Sequence, residues 1–410
     1  MCVLISLKKE NAETKKSFPT MNLSPSSSAS SIPRPFLFNK AKKLQEVGDS
    51  SSGYDFYGDS SSSLEYDFYR ESCPEAEKII RSRVQDLYNR QSDIAPWLLR
   101  LVFHDCFIEG CDASVLLDAI DGVDSEKESP PNETLKGFDL IDIIKSELEE
   151  ACPGLVSCAD ILVLATRESV ALAGGPFYPL QTGRRDSTMS FSEVATYDLP
   201  TPFDDLPKTV AAFALRGFNE QETVSLLGAH NIGKIHCKFF LSRLYNFDGT
   251  NKPDPTLDIE FLDLLRSRCY NNHTSSSASP LPSMSPSPSP SSSPSPSPSP
   301  SSSCPSLSPS SVVDPVSPSS PQVQRVEMDY GGKGSGFGTV YYRSLLQGRG
   351  ILYVDQQLTL GEETETWVRA YASDASLFRR DFAKAMMKLS NLGVLIAPTG
   401  QVRIHCSKTV

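Results

Sequence analysis

Arg100-Leu101-Val102-Phe103-His104-Asp105-Cys106 sets a guanidinium and an imidazole four residues apart. On a helix, Arg100 and His104 therefore share one face, a turn apart. Such a pair suits general acid–base work with charge stabilisation, as the opening of a hydroperoxide O–O bond would need. On its own it is an ordinary feature of a solvated helix face. Here it lies within the apolar run Trp97-Leu98-Leu99 and Leu101-Val102-Phe103, and burying charge without partners is costly. The setting predicts a working site.

Helical periodicity extends outward from that stretch. Apolar residues at three- and four-residue spacing mark 75–90, 93–106, 137–151, 158–173, 204–216, 219–229, 256–268, 338–347, 362–372 and 374–391. Asp93 ahead of Pro96 reads as a helix start, and Asn219 with Glu222 has capping-box spacing. Alternating strand patterns are few and short, so the expected fold class is mainly α.

The 410 residues, 39% hydrophobic and 22% charged, suffice for one large or two ordinary domains. A net charge of −11 argues against nucleic acid as a partner. No apolar run approaches a membrane span, so no membrane partner is expected. Ten cysteines without a CxxC pair point to disulfides and an oxidising compartment rather than zinc. Eight of them, Cys73, Cys106, Cys111, Cys152, Cys158, Cys237, Cys269 and Cys406, fall in periodic sequence, whereas Cys2 and Cys304 lie in low-complexity surroundings. The N-terminal run Cys2 to Leu7 is short for a secretory signal and meets Lys8 and Lys9.

Residues 1–65 read as a leader or disordered segment and 66–410 as one domain. A Ser/Pro tract over 274–321 interrupts that domain, and no charged side chain occurs between Arg268 and Asp314. Such a tract cannot form a core and is expected to be an extended surface insertion. Within the domain, Asp105, Asp112, Ser114 and Glu126 gather oxygen donors around a turn at Gly110, a set suited to calcium.

Several motifs in order resemble the class III secretory plant haem peroxidases over roughly 66–272 and 322–406. They are Tyr69…Ser72-Cys73-Pro74, Arg100 through His104 to Cys111-Asp112, Val156-Ser157-Cys158-Ala159-Asp160, Gly183-Arg184-Arg185-Asp186, Leu227-Gly228-Ala229-His230-Asn231-Ile232-Gly233, and Gln401-Val402-Arg403-Ile404…Cys406. The resemblance implies a two-lobed, disulfide-stapled helical fold with haem b between the lobes. It implies His104 as distal acid/base, Arg100 as its charge-stabilising partner and Asn132 as the residue that orients His104. Asn132-Glu133-Thr134 is also a glycosylation sequon, the competing reading of that asparagine.

The resemblance further implies His230 as iron ligand backed by Asp355, with Phe103 against the haem and Pro200 at the donor site. Phe203 and Phe239 would be aromatic walls there, with Pro130 where some members have phenylalanine. Ile108 and Gly110 would add backbone oxygens to the calcium set. A second calcium site near Asn231 is expected to be weakened, because Asn231 and Gly338 replace the usual threonine and aspartate. The implied disulfides are Cys73–Cys152, Cys106–Cys111, Cys158–Cys406 and Cys237–Cys269. His236, His273 and His405 carry no motif and are expected to be packing or surface residues.

The expected activity is reduction of hydrogen peroxide with one-electron oxidation of small phenolic donors, by a secreted, monomeric enzyme of the cell wall. A structural wall component acting through polymer contact at 274–321 is the alternative. A haem-free relative is disfavoured by the retention of Arg100, His104, Asn132, His230 and Asp355.

Overall fold

Each long helix forms where apolar residues recur on one face and can be buried together. In α1 (Ala76–Arg90) these are Ala76, Ile80 and Val84, and in α3 (Phe138–Ala151) they are Leu140, Ile141, Ile144 and Leu148. α2 (Ile94–Phe107) packs against α4 (Cys158–Leu172), and α4 is buried from Cys158 to Val170. This computed structural model describes residues 63–120, 122–269, 324–328 and 337–410. The expectations for 1–62, for the Ser/Pro tract 274–321, and for Cys2, Cys304 and His273 lie outside the described residues.

The chain continues through α5 (Ser192–Asp198), α6 (Leu206–Leu215), α7 (Glu220–Leu227), α8 (Leu241–Tyr245) and α9 (Ile259–Arg268). After the undescribed segments come α10 (Val340–Leu345), α11 (Tyr353–Gln357), α12 (Glu362–Ser373) and α13 (Ala375–Leu389). Strands are limited, among the described residues, to two short antiparallel pairs. Glu65–Tyr66 (β1) pairs with Gln181–Thr182 (β2), and Lys234–His236 (β3) pairs with Arg325–Glu327 (β4), with Ile235 opposite Val326. The fold is mainly α.

Two hydrophobic cores result. The larger unites α1 to α4 with α7, α10, α12 and α13. The smaller gathers Phe240, Leu244, Phe261, Leu265, Val326, Ile351 and Leu352. Four disulfides join Cys73 to Cys152, Cys106 to Cys111, Cys158 to Cys406 and Cys237 to Cys269, the pairs the resemblance implies. The Cys158–Cys406 bridge spans 248 residues and ties the chain end to the start of α4.

Helix starts follow capping chemistry. Asn219 accepts from Glu222 N–H while the Glu222 side chain takes Asn219 N–H, a complete capping box. Asp93 departs from expectation: its side chain caps nothing in α2 and instead takes the Lys234 ammonium at 2.9 Å. The segment expected over 256–268 begins at Ile259 because Asp258 caps it, accepting from Phe261 N–H.

Candidate active site

On α2, Arg100, Phe103 and His104 line one cavity of about 520 Å³, within the usual range of roughly 300–1,000 Å³ for small-molecule sites. Arg100 is clamped from behind: Nη1 donates to Thr134 Oγ1 at 2.9 Å and Nη2 to the Pro131 carbonyl at 2.8 Å. Burial lowers its pKa only to about 10, so the guanidinium stays charged at neutral pH.

The tautomer of His104 follows from its neighbour. Asn132, 2% exposed, donates through Nδ2 to the Glu126 carbonyl at 2.8 Å. That bond turns Asn132 Oδ1, an acceptor only, toward His104 Nδ1 at 2.6 Å. The proton therefore sits on Nδ1, and Nε2 keeps its lone pair. Burial, reinforced by the Arg100 charge and against the Asn132 bond, lowers the His104 pKa to about 3. A neutral imidazole with a free Nε2 and a fixed cation one turn away can accept a proton and return it. The buried, doubly bonded Asn132 amide is not available as a sugar acceptor in the folded chain.

His230 lines the same cavity, on the 3₁₀ turn Gly228–Asn231 that follows α7. Its Nδ1 meets Asp355 Oδ1, on α11, at 2.8 Å. Burial alone would lower the His230 pKa, but the charge and hydrogen bond of Asp355 outweigh it and the net shift is upward. The carboxylate is fully buried and also accepts from the Tyr341 hydroxyl at 2.9 Å.

The donor set fits a haem. Two imidazoles face one cavity with mostly apolar walls, including Leu99, Phe213, Leu226, Met328, Leu352 and Met386. One imidazole is fixed as a base by an amide, and the other is made electron-rich by a carboxylate, the usual partner of an iron-bound histidine. All eight cysteines among the described residues are in disulfides, leaving no thiol there to attach a haem covalently. Pro200, Pro130, Phe239 and Phe203 line the cavity too, with Phe203 53% exposed.

Beyond His104, the loop closed by Cys106–Cys111 gathers an acidic cluster. Gly110 is at φ +126°, and a Cβ there would strike the Gly393 backbone, so only glycine allows the loop to close. Asp105, Asp112, Ser114 and Glu126 are all buried. Asp105 Oδ1, Ser114 Oγ and Glu126 Oε2 have no hydrogen-bond partner. Ser114 stands near enough to lower the Asp112 and Glu126 carboxyls, yet burial wins and raises them to about 6 and about 7. Asp105 is pushed well up by burial and then by the charges of Asp112 and Glu126. Three buried carboxyls, two of them with an orphaned oxygen, beside an orphaned hydroxyl fit a hard cation. No three His, Cys, Asp or Glu side chains among the described residues form a cage by themselves, so hydroxyl and backbone oxygens would complete the set. At the second expected site, the Asn231 amide is already engaged: it donates to the Gly228 carbonyl at 3.0 Å and accepts Tyr341 N–H at 3.3 Å.

Sequence reasoning missed part of this geometry. Trp97, Lys136 and Met328 line the cavity, and His236, expected to be an ordinary packing residue, lines it as well. Thr134 holds Arg100 although it belongs to a sequon. The i, i+3 spacing from Trp97 to Arg100 was the one available signal, since it puts the indole on the catalytic face of α2.

The family model described as Peroxidase matches residues 80–374. A protein of Arabidopsis thaliana, provisionally named Peroxidase 48, is 52% identical over 361 residues, covering 85% of this chain and 83% of the relative. Peroxidase 22 of the same plant is 38% identical over 351 residues, covering 85% and 87%. Peroxidase 5 of Vitis vinifera is 37% identical over 344 residues, covering 84% and 90%.

Proposed function

This chain belongs to the plant haem peroxidase family and is an oxidoreductase that acts on hydrogen peroxide, and we propose that it does so in the cavity between His104 and His230, drawing electrons from small phenolic donors. The observation that carries the assignment is that one cavity is lined both by His104, bonded to Asn132, and by His230, bonded to Asp355.

Haem b would be held by His230 and the apolar walls, and when bound it would supply the redox iron for two-electron reduction of peroxide balanced by two one-electron oxidations of donors. His104 Nε2 takes the proton from the near oxygen of the peroxide and delivers it to the far one, which leaves as water. Arg100 stabilises the negative charge that builds on the leaving oxygen, held in place by Thr134 and Pro131. Asn132 keeps the proton on Nδ1 so that Nε2 remains the base. Asp355 raises the electron density of His230. Donors meet the opening beside Pro200, Phe203 and Phe239, where aromatic walls suit a phenol.

One calcium ion is proposed at Asp105, Asp112, Ser114 and Glu126, with the carbonyls of Ile108 and Gly110. A second near Asn231 is not, because hydrogen bonds already use that amide. The Glu126 backbone also carries Asn132, so the ion would steady the element that orients His104. Four disulfides fit an oxidising compartment, and no described helix is long and apolar enough to cross a membrane. A secreted enzyme is the reading the disulfides support, and a monomer acting in the cell wall is proposed from the family resemblance. The structural alternative through 274–321 has no support from relatives that carry peroxidase names.

The test is a visible spectrum of the purified protein together with peroxide-dependent oxidation of a simple phenol. An intense Soret band and turnover are expected. A colourless protein that takes up no added haem would overturn the proposal.

A further inference from the structure

The proximal pair is connected to a third buried side chain that the peroxide chemistry above does not use. Tyr341, fully buried on α10, donates its hydroxyl to Asp355 Oδ1 at 2.9 Å. The same oxygen accepts from His230 Nδ1 at 2.8 Å, while Asp355 Oδ2 is buried without a partner. One carboxylate oxygen thus divides its acceptor strength between a phenol and the imidazole. The phenol is placed by the chain itself: Asn231, next to His230, accepts Tyr341 N–H and pins α10 to the His230 turn.

Resting on the haem reading, we propose that Tyr341 is a positioning residue that sets the electron donation of His230 by competing for Asp355 Oδ1. A donor to a carboxylate draws charge from its other hydrogen bonds, so the Tyr341 hydroxyl holds Asp355 back from His230 Nδ1–H. Removing that hydroxyl shifts the Nδ1 proton toward Asp355 and makes the imidazole a stronger donor to iron, which stabilises the ferric over the ferrous state.

The neighbouring ring supplies the control. Tyr342 is equally buried, but its hydroxyl donates to the Val224 carbonyl at 3.1 Å and does not bond Asp355. The experiment measures the ferric/ferrous potential and the iron–histidine stretching frequency of haem-loaded wild type, Tyr341→Phe and Tyr342→Phe. Tyr341→Phe is expected to lower the potential and raise the frequency, with Tyr342→Phe unchanged. Equal shifts in both, no shift, or a shift of opposite sign in Tyr341→Phe would overturn the inference while leaving the haem assignment standing. A wild type in which His230 does not ligate haem would remove both. Should Tyr341→Phe fail to take up haem, 3-fluorotyrosine placed at 341, a stronger donor of nearly the same shape, is expected to move the potential upward, and an unmoved or lowered value refutes the role.

Discussion

Calcium removal should turn the acidic cluster into a pH-dependent weakness. Burial raises Glu126 to about 7 and Asp112 to about 6, and Asp105 also moves well up. The folded, calcium-free chain therefore binds protons more tightly than the unfolded chain. Its stability is highest below the unfolded carboxyl values near 4 and falls as pH rises through the folded values, the Glu126 and Asp112 part being nearly complete by about pH 8. At 1.36 kcal/mol per unit, Glu126 and Asp112 are each worth roughly 3 kcal/mol, and the sum is smaller because they interact. For a domain of this size that corresponds to a fall of roughly 5–10 °C in Tm between pH 4.5 and 8. Calcium reverses the sign of the problem, since it requires these oxygens to be deprotonated, so its stabilisation should grow over the same interval and its binding should release protons through neutral pH, where Glu126 at about 7 is still partly protonated. Thermal unfolding of calcium-loaded and chelated protein from about pH 4.5 to 8 is the assay. A calcium-dependent difference in Tm that is the same at both ends would refute the reasoning, because the cluster would then not be the seat of the ion.

Substituting His104→Leu should leave haem bound while slowing its reaction with peroxide by about 10²–10⁴-fold, the usual worth of a general acid–base; stopped-flow absorbance reads this directly. Asp355→Asn should raise the ferric/ferrous potential, because an amide is a weaker acceptor for His230 Nδ1–H; redox titration gives the sign. The double change Cys158→Ser with Cys406→Ser should cost about 5–6 kcal/mol by releasing a loop of 248 residues in the unfolded chain, as read by denaturant unfolding.

The site's outline was legible because it depends on local spacing. Arg100 and His104 share a helix face whatever the fold around them, and Asn219 with Glu222 declares its helix start within four residues. The Asp105-to-Glu126 oxygens were legible as a cluster because Cys106–Cys111 closes the loop that holds them. What stayed hidden depends on contacts between distant segments. Asp355, 125 residues beyond His230 on a five-residue helix too short to show periodicity, was reached only through the family resemblance. The same brevity hid α5 and α8. Tyr341 reads as an apolar core residue until α10 is packed against the His230 turn. Asp93 looked like a cap, yet a lysine from β3, 141 residues away, claims its carboxylate. His236 carries no motif, and only the placement of β3 at the cavity edge brings it to the site.

The central claim is that a neutral His104, held by Asn132 beside a charged Arg100, performs the proton transfer on peroxide. The measurement that tests it most directly is the pH dependence of the second-order rate at which hydrogen peroxide changes the haem spectrum of the wild-type protein. With His104 lowered to about 3, the rate should be flat through neutral pH and fall only on the acid side, half lost near that value. An inflection near 6.5, the ordinary value for an exposed imidazole, or a rate unaffected by acid would contradict it.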